Sequence, residues 1–170
     1  RLQPGVIIQD MFGGNDQPRL NIRGSGIQSN PQRRGVYLLQ DGIPVNFSDG
    51  SYVVGIMDAM TAQYIEVFKG ANALRFGAGT LGGALNFVSR TALSDTTTSI
   101  KLEGGSYGSF GLTFTTGRRM GAWDVFAAST YNRQDGYRIY NQNRRLTASL
   151  NIGWRNKNKT LENRTFIHFT

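Results

Sequence analysis

Apolar and polar residues alternate one for one through the second half of the chain. In FGLTFTTG, Phe110, Leu112 and Phe114 fall on one side, and Gly111, Thr113, Thr115 and Gly117 on the other. In WDVFAASTYN, the series Trp123, Val125, Ala127, Ser129, Tyr131 alternates with Asp124, Phe126, Ala128, Thr130, Asn132. RLTASLNIGWR repeats the pattern most cleanly, with Leu146, Ala148, Leu150, Ile152 and Trp154 set against Thr147, Ser149, Asn151, Gly153 and Arg155. A period of two marks a strand with chemically different faces. Each run is roughly 9–11 residues, the length a tilted strand needs to cross a bilayer. The connections RRMGA (118–122) and NKNKT (156–160) are tight and polar, whereas QDGYRIYNQN (134–143) is longer and aromatic. Trp123 and Trp154 adjoin the tight turns and Tyr131 ends its strand on the other side, as two aromatic girdles require. A soluble β-sandwich with one buried face gives the same alternation, but accounts less well for the strand length and the tryptophans.

The pattern differs before residue 91. Short apolar runs at 5–8, 20–22, 35–40, 64–68 and 85–89 read as strands, and GIMDAM (55–60) and ANALR (71–75) as helical turns. Such a mixture predicts a small α+β domain with a mixed sheet. SRTALSDTTTS (89–99) reads as a polar linker.

Composition narrows the chemistry. The 170 residues include no cysteine and one histidine, His168, so thiolate metal sites, disulfides and His-based triads lack their parts. The charge of +8 is uneven. Residues 1–90 carry eight Lys and Arg against six Asp and Glu; residues 91–170 carry eleven against five. The densest basic groups are Arg118-Arg119, Arg144-Arg145, and Arg155 with Lys157 and Lys159. Each sits at the end of an apolar run, where turns are expected. They form no stripe interleaved with aromatics, so nucleic acid is not an expected partner. No apolar run reaches the ~20 residues of a membrane helix. The opening RLQPGV and closing TFIHFT suggest an excerpt from a longer chain.

RFGAGTLGGALNF (75–87) carries Gly77, Gly79 and Gly82 at the spacing G-x-G-x-x-G. A dinucleotide loop needs a strand before the first glycine and a helix after the last. Here the order is reversed, and no acidic residue follows about 20 positions later. The segment reads as a helix-to-strand corner. Asp41, Asn46 and Asp49 do not have the spacing of an EF-hand loop. No cofactor, metal or catalytic residue is expected.

Pro4-Gly5-Val6, Ile22-Arg23-Gly24, Asp41-Gly42-Ile43-Pro44, Ile65-Glu66-Val67-Phe68-Lys69-Gly70, Phe76-Gly77, Gly82-Gly83 and Asn86-Phe87-Val88 follow one another in order. Together they resemble the plug domain of TonB-dependent outer-membrane receptors over residues 1–90. The resemblance implies a mixed fold: an α+β plug lacking its N-terminus (1–90), a linker (91–97), and about the first five strands of a transmembrane antiparallel barrel (98–170). The complete barrel would have about 22 strands and a plugged lumen.

The resemblance further implies that Arg23 and Lys69 latch the plug to carboxylates on the inner barrel wall. Lys69 stands where arginine is commoner, and an ammonium lacks the guanidinium's bidentate fork. Gly24, Asp41, Gly42, Gly70, Gly77, Gly82 and Gly83 are the structural plug motif. Ligand contacts are expected from the plug apices, with Phe12, Asn15, Gln28, Asn30, Asn46 and Phe47, and from Tyr137, Arg138 and Tyr140 of the first long barrel loop. The implied function is TonB-energised import, without catalysis, across the outer membrane of a Gram-negative bacterium. The expected ligand is a ferric siderophore or other iron chelate, with haem, cobalamin, other metals and saccharides open. Implied partners are TonB, through a box outside this sequence, and outer-membrane lipid. The alternative is a soluble β-rich ligand-binding module without transport activity.

Overall fold

The computed structural model describes residues 4–9, 19–25, 35–53, 57, 61–77, 79–136, 142–158 and 160–169. The chain divides into two compact units, Arg1–Ser89 and Arg90–Thr170.

In the first unit, β1 (Val6–Gln9) pairs antiparallel with β2 (Arg19–Ile22). A second sheet has the order β4-β3-β6-β5, from β3 (Val36–Gln40), β4 (Ile43–Pro44), β5 (Ala62–Lys69) and β6 (Gly83–Ser89). β3 and β6 run parallel and the other pairs antiparallel, so the sheet is mixed, as expected. The central strands are apolar at consecutive positions because both their faces are covered. Val36 and Leu38 of β3 join Leu85 and Phe87 of β6 in a core with Leu20, Ile22, Tyr52 and Met57. The buried Tyr52 hydroxyl donates to the Leu20 carbonyl at 3.1 Å, so its burial leaves no polar atom unsatisfied. On the opposite face Leu39 and Ala84 pack with Ala73, supported by Tyr37, Phe68 and Phe76.

The helix expected at 71–75 is a 3-10 helix, Gly70–Phe76. The one expected at 55–60 lies outside the described residues except for Met57, which is buried in the core. The glycine corner between the 3-10 helix and β6 is set by close packing. A Cβ on Gly82 would stand 2.2 Å from Ser25 Cβ, and one on Gly83 would stand 2.5 Å from the Phe68 carbonyl oxygen. The Gly82 amide donates to the Gly35 carbonyl at 2.8 Å, which ties the corner to the start of β3.

The second unit is one antiparallel meander of β7 (Ser99–Gly105), β8 (Ser109–Met120), β9 (Trp123–Gln134), β10 (Asn143–Arg155) and β11 (Glu162–Phe169). β8, β9 and β10 have 12, 12 and 13 residues, longer than the apolar runs alone. At ~3.3 Å per residue and a tilt of ~40°, such strands rise about 30 Å, more than the ~25 Å apolar band of a membrane barrel. The extra length comes from polar strand ends. Arg118 and Arg119 lie inside β8, not in the turn, which is only Gly121–Ala122; Arg144 and Arg145 lie inside β10.

The polarity of this sheet is inverted. Ile100, Leu102, Phe110, Phe114, Leu146 and Phe169 are exposed on one face, Ile100 and Leu102 at 68%. Thr113, Thr115, Asp124, Thr130, Thr147 and Asn151 are buried on the other. Each large apolar side chain forgoes part of the about 1.5–3 kcal/mol that full burial would contribute. A soluble sandwich requires the reverse arrangement, whereas a barrel wall in lipid requires this one. The girdles form as cross-strand pairs. Trp123 and Trp154 are register partners with ring centroids 6.5 Å apart at one end. Phe110 and Tyr131 stand 6.5 Å apart at the other.

Two substitutions test these assignments. Gly83→Ala should destabilise the first unit by about 2–4 kcal/mol, through overlap and a strained backbone; Gly104→Ala, in open space, should be near neutral. Urea unfolding reads both. Phe114→Arg should cost about 2–4 kcal/mol in folding into lipid vesicles, whereas Thr113→Ser on the buried face should change little.

Candidate functional site

Arg23 and Lys69, far apart in sequence, lie together in the first unit. Arg23 and Gly24 form the turn after β2, both at positive φ (51° and 87°). The turn is closed by reciprocal bonds between Ile22 and Ser25, and by Gly24 N–H donating to Asn21 Oδ1 at 2.9 Å. The Arg23 amide donates to the Gly5 carbonyl at 2.9 Å. Its guanidinium passes over Gly70, with Nη1 3.0 Å from where a Cβ would sit. Next to Gly70, Lys69 Nζ donates to the Pro4 carbonyl at 2.7 Å. Neither cation is in an ion pair among the described residues.

The Asp41-Gly42 turn joins β3 to β4, again with both residues at positive φ. It is bonded to β6: Ser89 N–H donates to Asp41 Oδ1 at 2.8 Å, and Gly42 N–H to Asn86 Oδ1 at 2.8 Å. Asn86 in turn donates to Glu66 Oε2 at 2.8 Å. Beyond β4, the Asn46 amide is committed to main chain. It accepts from Leu38 N–H at 2.8 Å and donates to the Val36 and Gly50 carbonyls at 3.0 and 3.2 Å. Phe47, next to it, is 58% exposed. Phe12, Asn15, Gln28, Asn30, Tyr137, Arg138 and Tyr140 lie outside the described residues.

In the second unit the buried polar face carries a charge network that the sequence reading missed. Asp124 of β9, Gly153 of β10 and Arg164 of β11 are in register. Arg164 reaches across Gly153 to donate to both Asp124 oxygens, at 3.0 and 3.2 Å. It also donates to Asn151 Oδ1 at 2.8 Å and to Glu162 Oε1 at 3.1 Å, and Arg155 holds the other Glu162 oxygen at 2.8 Å. A Cβ on residue 153 would stand 2.3 Å from Asp124 Oδ2, so only glycine lets this bridge cross the middle strand. Asp124, Gly153 and Arg164 each follow a polar phase of the alternation, which was the available signal. Their contact needed the strand register. Among the described residues, no group of three His, Cys, Asp or Glu could hold a metal ion.

Residues 1–84 match the family model TonB-dependent Receptor Plug Domain. The chain is 31% identical over 141 residues to the ferrichrome receptor FcuA of Yersinia enterocolitica, covering 79% of this chain and 19% of that protein. The pyoverdine outer membrane receptor FpvA of Pseudomonas aeruginosa PAO1 has the same fold over 97% of this chain and 23% of its own, with a TM-score of 0.63 at 18% identity. The ferric yersiniabactin uptake receptor FyuA of Yersinia pestis matches over 91% of this chain and 25% of its own, with a TM-score of 0.59 at 21% identity. These relatives are receptors, not enzymes, and this chain spans a small part of each. With a plug-type mixed sheet followed by a sheet of inverted polarity, the chain belongs to the TonB-dependent receptors, as a plug domain and the start of the barrel.

Proposed function

We propose that the protein of which this chain is part imports an iron chelate, of the ferric siderophore class, across the outer membrane of a Gram-negative bacterium. Binding on the outer side moves the plug, and TonB, driven by the inner-membrane proton gradient, displaces it so that the ligand passes. The observation that carries the reading is the succession, in one chain, of a plug-family domain and a wall with its polar side buried and its apolar side bare. The ligand class is supported by the named relatives, a ferrichrome receptor and uptake receptors for pyoverdine and ferric yersiniabactin. Arg23 and Lys69, side by side and without carboxylate partners in the described part of the chain, suit a latch to acidic groups on a barrel wall. Phe47 is the described residue best placed to stack on a ligand, and Tyr137, Arg138 and Tyr140 would grip an anionic chelate by charge and stacking.

Deleting the gene should abolish proton-gradient-dependent uptake of at least one radioiron-loaded chelate from a panel that includes ferrichrome and pyoverdine. Wild-type uptake of the whole panel, with no chelate bound by the purified receptor, would overturn the iron reading. Phe47→Ala should weaken chelate binding about tenfold with little effect on plug stability. Asn46→Ala should instead lower plug stability by about 1–3 kcal/mol, because it strands main-chain groups. Titration calorimetry and urea unfolding separate the two effects.

A further inference from the structure

Residues 89–99 read as a polar linker, yet within it residues 90–95 lie against the buried face of the second unit. The Arg119 fork donates through Nε to the Ala92 carbonyl at 2.7 Å and through Nη2 to the Leu93 carbonyl. Asn151 Nδ2 donates to the Arg90 carbonyl at 3.3 Å. Ala92 is fully buried against Phe126 and Ala128. A Cβ on Gly117 would stand 2.2 Å from the Asp95 carbonyl oxygen, so the connector's main chain rests directly on β8. Its own turns are closed. Ser94 and Asp95 amides donate to the Thr91 carbonyl at 3.0 Å each, and Thr97 N–H donates to Asp95 Oδ1 at 2.8 Å. The Asp95 carboxyl is held below the usual range, chiefly by the Thr97 amide, then by the Thr97 hydroxyl and the Arg90 guanidinium. Further along, the Thr98 and Thr116 hydroxyls meet at 2.8 Å, and those of Ser99 and Thr115 at 2.7 Å.

Carbonyls of an unattached linker would be left to water. Here those of Arg90, Ala92 and Leu93 all accept from wall side chains, one of them a guanidinium that cannot lose its charge. Asn151 is itself oriented: Arg164 holds its oxygen, which turns the amide nitrogen toward Arg90, and Arg164 is fixed by Asp124 and Glu162. We propose that residues 90–98 are a mooring, fastened to the wall by Arg119 and Asn151 and positioned through Arg164, that holds the C-terminal end of the plug in place while the rest of the plug moves. Plug movement belongs to the import reading above; the fastening rests on this geometry alone.

Hydrogen exchange on the full-length receptor in lipid nanodiscs tests the fastening. Amides of 94, 95 and 97 should exchange as slowly as those of β9 in the wild type. Arg119→Ala should speed exchange over 90–98 at least tenfold and leave β9 and β10 unchanged. Gly153→Ala, acting through Arg164 and Asn151, should give a smaller rise in the same segment. Should Arg119→Ala fail to assemble, Arg119→Lys and Asn151→Ala carry the test. Pulling the receptor from its N-terminus by force spectroscopy tests the holding. In the wild type the plug should extend first and a separate, later event should release about 30 Å for the moored residues. In Arg119→Ala that event should merge with the plug's. Fast exchange over 90–98 in the wild type, no change in Arg119→Ala, or release together with the plug in the wild type would each overturn the mooring. None of these readings needs ligand or TonB, so failure of the import reading would show separately, in the uptake assay.

Discussion

The inversion of polarity across one sheet is the constraint on which the second unit depends. In hydrocarbon no water is available to main-chain N–H and C=O groups, so a wall exposed to lipid must pair them strand to strand. The meander does this over long runs, from Ser99↔Thr115 in β7–β8 to Ala148↔Phe169 in β10–β11. Once the backbone is paired, the side chains alone choose the face. Phe110, Phe114 and Leu146 are bare on the face that a barrel wall turns to lipid, and Asp124 and Asn151 are buried with partners for their polar groups. The girdle pairs, Trp123–Trp154 and Phe110–Tyr131, mark the two ends of the apolar face.

Burial of charge sets the second requirement. Removing one partner from a buried ion pair leaves an uncompensated charge and typically costs about 3–5 kcal/mol. Asp124 is the buried member here, and its partner reaches it from two strands away. The bridge is possible because Gly153 lies directly between them. Glycine thus does different work in the two units. At Gly82 and Gly83 it admits neighbouring main chain and a serine; at Gly153 it admits a salt bridge.

Much of this was legible from residue order. Period-two alternation located β8, β9 and β10 and assigned their faces, since the pattern is the physical cause of the facing. Short apolar runs located β1, β2, β3, β5 and β6, and the reversed order around Gly77–Gly82 separated the corner from a nucleotide loop. What alternation could not supply was register. Arg119 read as a turn charge because the apolar stripe fades before it, although its parity with Thr115 and Gly117 puts it on the polar face. The fastening of the connector was hidden for a similar reason. Polar, β-poor composition describes what a segment lacks, while the Arg119 and Asn151 donors that fasten it come from strands 27 and 61 residues away. Asn46 looked like a ligand group because its side chain is polar and lies on an apex; three main-chain bonds claim it.

Cohesion within the plug increases along the chain. β1 and β2 form a two-stranded sheet, an arrangement with little stability of its own. They contribute Val6, Leu20 and Ile22 to a core that they cover from one side only. β3 and β6 are packed on both faces, paired to each other, and bonded through Asp41 and Asn86 to the turn at the end of β3. Immediately after β6 comes the connector, pinned at three carbonyls. A force applied from the N-terminal side therefore meets the least cohesive pair first and the doubly packed strands next. Elements that must move belong at the low-stability end of a structure. Within this sequence the two-stranded pair precedes the doubly packed strands and the pinned connector, so, under the proposed import by pulling, the last strands and the connector would be the template on which a displaced plug re-forms.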